Sequence, residues 1–158
     1  MTSVQSVLEK RFEKAQKHYE ALRDYCHLIE KLSSVKNIFE VDNFAVMIPE
    51  EKAILDAYLK RFASLQDFLG GKIFPILIEI SGMGTVKMSE VLFMMEKEGI
   101  IDSFDNWMEL REIRNELEHD YPDELQEALD DLKFCVDHFG RLENYYLNSK
   151  AFAERFTS

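Results

Sequence analysis

Several things this chain lacks narrow what it can be. It has only two cysteines, Cys26 and Cys135, far apart and each flanked by apolar residues at helical spacing. That pattern predicts buried, reduced thiols rather than a disulfide, and it carries no metal-binding signature. It has no Lys/Arg cluster: 19 basic residues against 30 acidic ones leave a formal charge of −11, so non-specific affinity for RNA or DNA is expected to be poor. No apolar run approaches the ~20 residues of a membrane span. The start, Met-Thr-Ser-Val-Gln-Ser-Val-Leu-Glu-Lys, has neither the basic opening nor the apolar centre of a signal peptide. A cytoplasmic protein without membrane contact is the expectation. Gly82-x-Gly84 has no third glycine and no Lys-Ser/Thr ending, which makes it a turn rather than a phosphate loop. No strand-length alternation is present either, leaving the helix as the only regular element.

What is present is ample apolar material at helical spacing. With 158 residues and 46% hydrophobic content, the chain can bury one sizeable core, read as a single domain over 1–158. Val4, Leu8, Phe12, Ala15, Tyr19, Leu22, Cys26, Ile29 and Leu32 recur by threes and fours and predict one long amphipathic helix. Residues 37–48 read as a connector, and Pro49 with two following glutamates opens a second helix reaching Ile80. Gly70, Gly71 and Pro75 predict a bend inside it. A short helix over 88–98 closes at Gly99, and Ser103 caps a helix carrying Trp107, Leu110, Ile113, Arg114 and Leu117. From Pro122 a final helix presents Leu125, Leu129, Leu132, Val136, Phe139, Leu142 and Tyr146 inward. The expected architecture is an all-α, four- to five-helix up-and-down bundle. Trp107 is expected in the core, Asp67 in an ion pair with Arg61, and His18, His27 and His138 at core edges or on the surface.

The chemistry-bearing stretch is Arg111-Glu-Ile-Arg-Asn-Glu-Leu-Glu-His-Asp-Tyr-Pro122. It sets a cation, an imidazole and a phenol at one helix end, a combination suited to a phosphate ester. On a regular helix, positions 114 and 119 lie about 140° apart around the axis, so one helix cannot aim both at one phosphate. Either the helix distorts near Pro122, or a second copy completes the site across a two-fold axis. Two copies also supply two imidazoles, one as base toward a ribose 2′-hydroxyl and one as acid for the leaving oxygen. Arg114 would stabilise the phosphorane, Asn115 would orient the imidazole or a phosphate oxygen, and His119 would move the proton. That mechanism requires neither metal nor cofactor.

Simpler readings stand beside this one. Arg114 and Glu118 are four apart and form an ordinary helical ion pair. Glu116-Leu117-Glu118-His119 also has the Glu-x-x-His spacing of di-iron bundles, with Asp24-Tyr25-Cys26-His27 as its nearest counterpart. The counterpart carries Asp in place of Glu.

Arg114, Asn115, His119 and Tyr121 reproduce the Arg-x4-His-x-Tyr motif of HepT-like toxins in the HEPN superfamily, which this chain resembles. The segment from Asp56 to Asp67 is similar to that family's second-helix signature. Met88 to Tyr121, with Gly99-Ile100-Ile101 and Trp107-Met108-Glu109-Leu110-Arg111, is similar to its approach to the motif. The resemblance implies a HEPN-like helical bundle that forms a homodimer and acts as a metal-independent endoribonuclease. It also implies a partner, a minimal nucleotidyltransferase antitoxin that transfers AMP to Tyr121 and silences the nuclease. An alternative within the same family is a non-catalytic binding or substrate module for that nucleotidyltransferase. Glu112, Glu116, Glu118, Asp120, Asp123 and Glu124 surround the motif and repel RNA. A narrow positive groove from Arg111 and Arg114 where two subunits meet would then favour a structured substrate such as a tRNA loop over bulk RNA, with tRNA and mRNA both open as the RNA substrate.

Overall fold

A computed structural model describes residues 3–84, 87–119 and 124–157, and every regular element among them is helical. The elements are α1 (Val4–Val35), α2 (Val41–Ala45), α3 (Pro49–Phe68), a π-helical turn (Leu69–Ile73), α4 (Phe74–Ile80), α5 (Met88–Lys97), α6 (Phe104–His119), α7 (Leu125–Asp137) and α8 (Phe139–Glu154). None of the described helices is long and apolar enough to cross a membrane.

Local sequence accounts for three of the boundaries. Ser3 caps α1, its Oγ accepting the Ser6 N–H at 3.1 Å, and Ser103 caps α6 by accepting the Asn106 N–H at 2.9 Å. Gly99 adopts φ +75°. There its N–H donates to the Glu96 carbonyl, and the Ile100 N–H donates to that of Met95 at 2.9 Å. This pair of bonds closes α5 in the Schellman arrangement, which a left-handed residue permits and glycine adopts without strain.

Three expectations are corrected, and together they raise the number of helical segments. The connector over 37–48 contains a short helix, α2, stabilised from outside when the Asn43 side chain donates to the Asn37 carbonyl at 2.9 Å. The helix from Pro49 to Ile80 does not simply bend at its glycines. It widens into the π turn, in which the Phe74 N–H reaches back to the Leu69 carbonyl, and Arg11 of α1 donates to the Lys72 carbonyl at 2.8 Å. Finally, the last helix is broken at His138 (φ −103°, ψ 18°). The His138 ring stacks on Phe134 at 3.9 Å between centroids, and its Nδ1 donates to the Phe134 carbonyl at 2.7 Å. These contacts fix a corner that apolar spacing carries straight across.

The core runs the length of the chain, from Leu8 of α1 to Ala153 of α8. α1 lies along α3, while α6 packs against α3, α5 and α7. Tyr58, fully buried, donates its hydroxyl to the Cys135 carbonyl at 2.8 Å, joining α3 to α7. Trp107 is buried between Phe74 (5.0 Å) and Tyr145 (5.5 Å). Burying side chains of this size stabilises the fold by ~1.5–3 kcal/mol each. Both cysteines are buried and free. Burial, reinforced by nearby carboxylates, pushes each thiol up to about 12, leaving them protonated and unreactive at neutral pH.

Candidate functional site

Of the expected site residues, Arg114, Asn115 and His119 lie in the C-terminal half of α6. Arg114 and Asn115 occupy consecutive positions in it, Arg114 buried and Asn115 half-buried. His119 is the last residue of the helix. Its side chain, like the whole of Tyr121, lies outside the described residues. Because α6 stays α-helical through His119, positions 114 and 119 keep the ~140° separation of a regular helix.

The most developed chemistry surrounds Arg114. Its side chain is only 3% exposed, yet it carries a full charge and must be compensated. Asp67, at the end of α3, supplies the compensation through a forked pair. Arg114 Nη2 contacts Asp67 Oδ1, and Nη1 donates to Oδ2 at 3.4 Å. The guanidinium Nε donates to Gln66 Oε1 at 3.2 Å. Gln66 is itself buried, and its Nε2 donates to the Trp107 carbonyl at 3.0 Å. One amide therefore holds α6 at two points about two turns apart, and no buried side-chain polar atom among the described residues is left without a partner. Glu118 also approaches Arg114, at 3.9 Å. This confirms the helical pairing in register, at a distance that adds little beside Asp67.

Arg61 does not pair with Asp67. Its Nη1 donates to His18 Nδ1 at 3.2 Å instead. Burial lowers the His18 pKa, and the Arg61 and Lys14 charges lower it further, favouring the neutral ring that can accept this bond. Gln66 and Asp67 are the two residues at this site that the motif did not reveal. Their signal was present, because a polar Gln66 interrupts the apolar stripe of Phe62, Leu65 and Leu69.

A cleft of about 620 Å³ opens beside Arg114, between the π turn, α5 and α6. Arg111 and Arg114 both line it, so the expected shared face of the two arginines is present. The groove is less positive than two cations imply, because Asp67 neutralises Arg114. Behind it, α6 faces acidic α7. Burial and the carboxylates of Glu116, Glu127 and Asp130 raise the Asp131 pKa above the ordinary carboxylate value. Anionic substrates are thus repelled from that side.

Among the described residues, no group of three or more His, Cys, Asp or Glu side chains is arranged to hold a metal ion. His27, the imidazole of the candidate second di-iron pair, is exposed on α1. No family model, curated protein or solved structure matches this chain.

Proposed function

We propose that this protein is a metal-independent endoribonuclease of the HEPN superfamily, the HepT-like toxin of a toxin–antitoxin pair. Its site would be composed across a homodimer from Arg114 and His119, with Asn115 in support. The carrying observation is the Arg114-Asn115-x3-His119-x-Tyr121 sequence pattern, with Arg114, Asn115 and His119 on one helix and every regular element among the described residues helical. Asp67 and Gln66 strengthen it, since a catalytic cation must be held rigidly to stabilise charge that develops only in the transition state.

In this mechanism one His119 accepts the proton of the ribose 2′-hydroxyl as that oxygen attacks phosphorus. The His119 of the second copy protonates the departing 5′-oxygen, and Arg114 stabilises the phosphorane. The cognate minimal nucleotidyltransferase would inhibit the enzyme by moving AMP onto the Tyr121 hydroxyl, adding bulk and negative charge where the RNA phosphate must sit. The substrate class is RNA with a structured element, such as a tRNA loop, whether carried on tRNA or mRNA. Purified protein is expected to cleave RNA and His119→Ala to lose that cleavage; retention of full cleavage by the variant would remove the assignment.

A second reading is favoured by one observation, the neutralisation of Arg114 by Asp67. A cation already paired has less field to offer a phosphorane, which suits a non-catalytic HEPN module that is only bound or modified by its nucleotidyltransferase. That reading expects no cleavage by unmodified protein, but a mass increase of one AMP on co-expression with the partner. Tyr121→Phe would lack the increase.

A further inference from the structure

We propose that the cleft between the π turn, α5 and α6 binds a small organic monocarboxylate with an apolar, ring-containing body. Its volume of about 620 Å³ lies within the ~300–1,000 Å³ of small-molecule sites. The walls are Val91 and Leu92 of α5 and Phe104, Trp107 and Met108 of α6. Met88, 63% exposed, also lines the cleft, and the lining Phe104 is stacked from outside it by Phe93 at 4.7 Å.

The floor is shaped to leave room. A Cβ placed on Gly70 would meet the Trp107 ring at 3.1 Å, whereas one on Gly71 would meet nothing within 4 Å. Gly70 thus admits the indole, and Gly71 leaves its side of the cleft open. Both lie in the π turn, a distortion that recurs at functional sites.

Charge selects the ligand. Arg114 is neutralised by Asp67, while exposed Arg111 has no hydrogen bond or ion pair among the described residues. One uncompensated guanidinium matches one carboxylate, which it can grip through two parallel N–H bonds. A phosphate dianion would bring a second charge that no further cation lining the cleft is left to meet, in a chain of net charge −11. The site shares Arg111 and Arg114 with the groove of the ribonuclease reading but requires neither His119 nor a second subunit, so ligand binding and RNA cleavage can fail separately.

Trp107 is the only tryptophan and lines the cleft, which supplies an internal reporter. 4-Phenylbutyrate and 2-naphthoate, titrated into the intact protein by calorimetry and by Trp107 fluorescence, are expected to bind saturably. 4-Phenylbutyramide and Arg111→Gln should each weaken binding by about tenfold or more, the scale of one charge-assisted contact. Gly71→Leu, which fills open space, should abolish it. Arg111 and Gly71 are exposed, so both variants should keep the wild-type circular dichroism. If Gly71→Leu does not fold, Arg111→Gln and the amide decide. Absence of saturable binding by either acid, equal affinity for the amide, or wild-type affinity in Arg111→Gln would overturn the proposal.

Discussion

Replacing Asp67 with alanine strands a guanidinium that is 3% exposed, and the cost can be bracketed from the geometry. Removing one partner of a fully buried pair costs ~3–5 kcal/mol, while exposed pairs contribute ~0–1 kcal/mol. Here the arginine is buried but the Asp67 side chain is 63% exposed, and Arg114 retains Gln66 and a distant Glu118. A loss of about 2 kcal/mol follows for Asp67→Ala, between those limits. For a chain of this size that lowers Tm by about 4–8 °C. Arg114→Met removes the buried charge and leaves an Asp67 that water can solvate, so adding Asp67→Ala to it should cost little. Urea denaturation of wild type, both single variants and the double variant yields the coupling directly, expected at about 1–2 kcal/mol. Effects that add to within about 0.5 kcal/mol would refute the claim that Asp67 compensates Arg114.

Other variants test separate parts of the structure. Gly71→Ala should stabilise by about 0.5–1 kcal/mol, the usual helical difference, whereas Gly70→Ala should gain nothing or lose, since its Cβ crowds Trp107; equal gains in urea denaturation would contradict this. Gln66→Leu leaves the Arg114 Nε without its acceptor and should cost about 1–3 kcal/mol in the same assay. Burial alone pushes the Asp102 carboxyl up, but hydrogen bonds from Tyr145, Asn106 and the Ser103 N–H outweigh it and hold its pKa below 3.8. The resulting stability is present above the unfolded carboxyl pKa and is lost as pH falls through the folded one. Tyr145→Phe, which removes a 2.5 Å bond, should therefore cost about 1–3 kcal/mol at pH 7 and less once Asp102 is protonated; a cost independent of pH would count against it. Asp131 has the opposite sign. Its raised pKa means that ionisation disfavours the folded state, so Asp131→Asn should stabilise at pH 7, with the gain vanishing as pH falls through the raised carboxyl pKa.

Local signals were read correctly from sequence where one residue type decides the geometry. Ser103 offers an oxygen to a helix start, Gly99 adopts a left-handed angle, and the α1 seam buries Leu8, Ala15, Leu22, Cys26 and Ile29, with Phe12 and Tyr19 half-buried and Val4 exposed. The corner at His138 was invisible because apolar spacing continues from Val136 through Phe139 to Leu142 across the break. The site's main ion pair was missed for a different reason. Asp67 and Arg114 are 47 residues apart, and nearby Arg61 offered itself as a partner. Six positions on a helix correspond to about 240°, so Arg61 and Asp67 face different neighbours and spacing alone could have rejected the pair. Arg114, Asn115, His119 and Tyr121 were legible as a pattern of chemistry, but the Asp67 and Gln66 that hold Arg114 come from another helix and required the fold.

The proposed reaction is metal-independent RNA cleavage by the Arg114/His119 site. Its most direct test is incubation of purified protein with a tRNA pool in excess chelator, followed by analysis of the product ends beside His119→Ala. The account predicts fragments ending in 2′,3′-cyclic phosphate and 5′-hydroxyl from wild type and none from the variant. Intact RNA with wild type, cleavage only on adding a divalent metal, or equal cleavage by His119→Ala would contradict it.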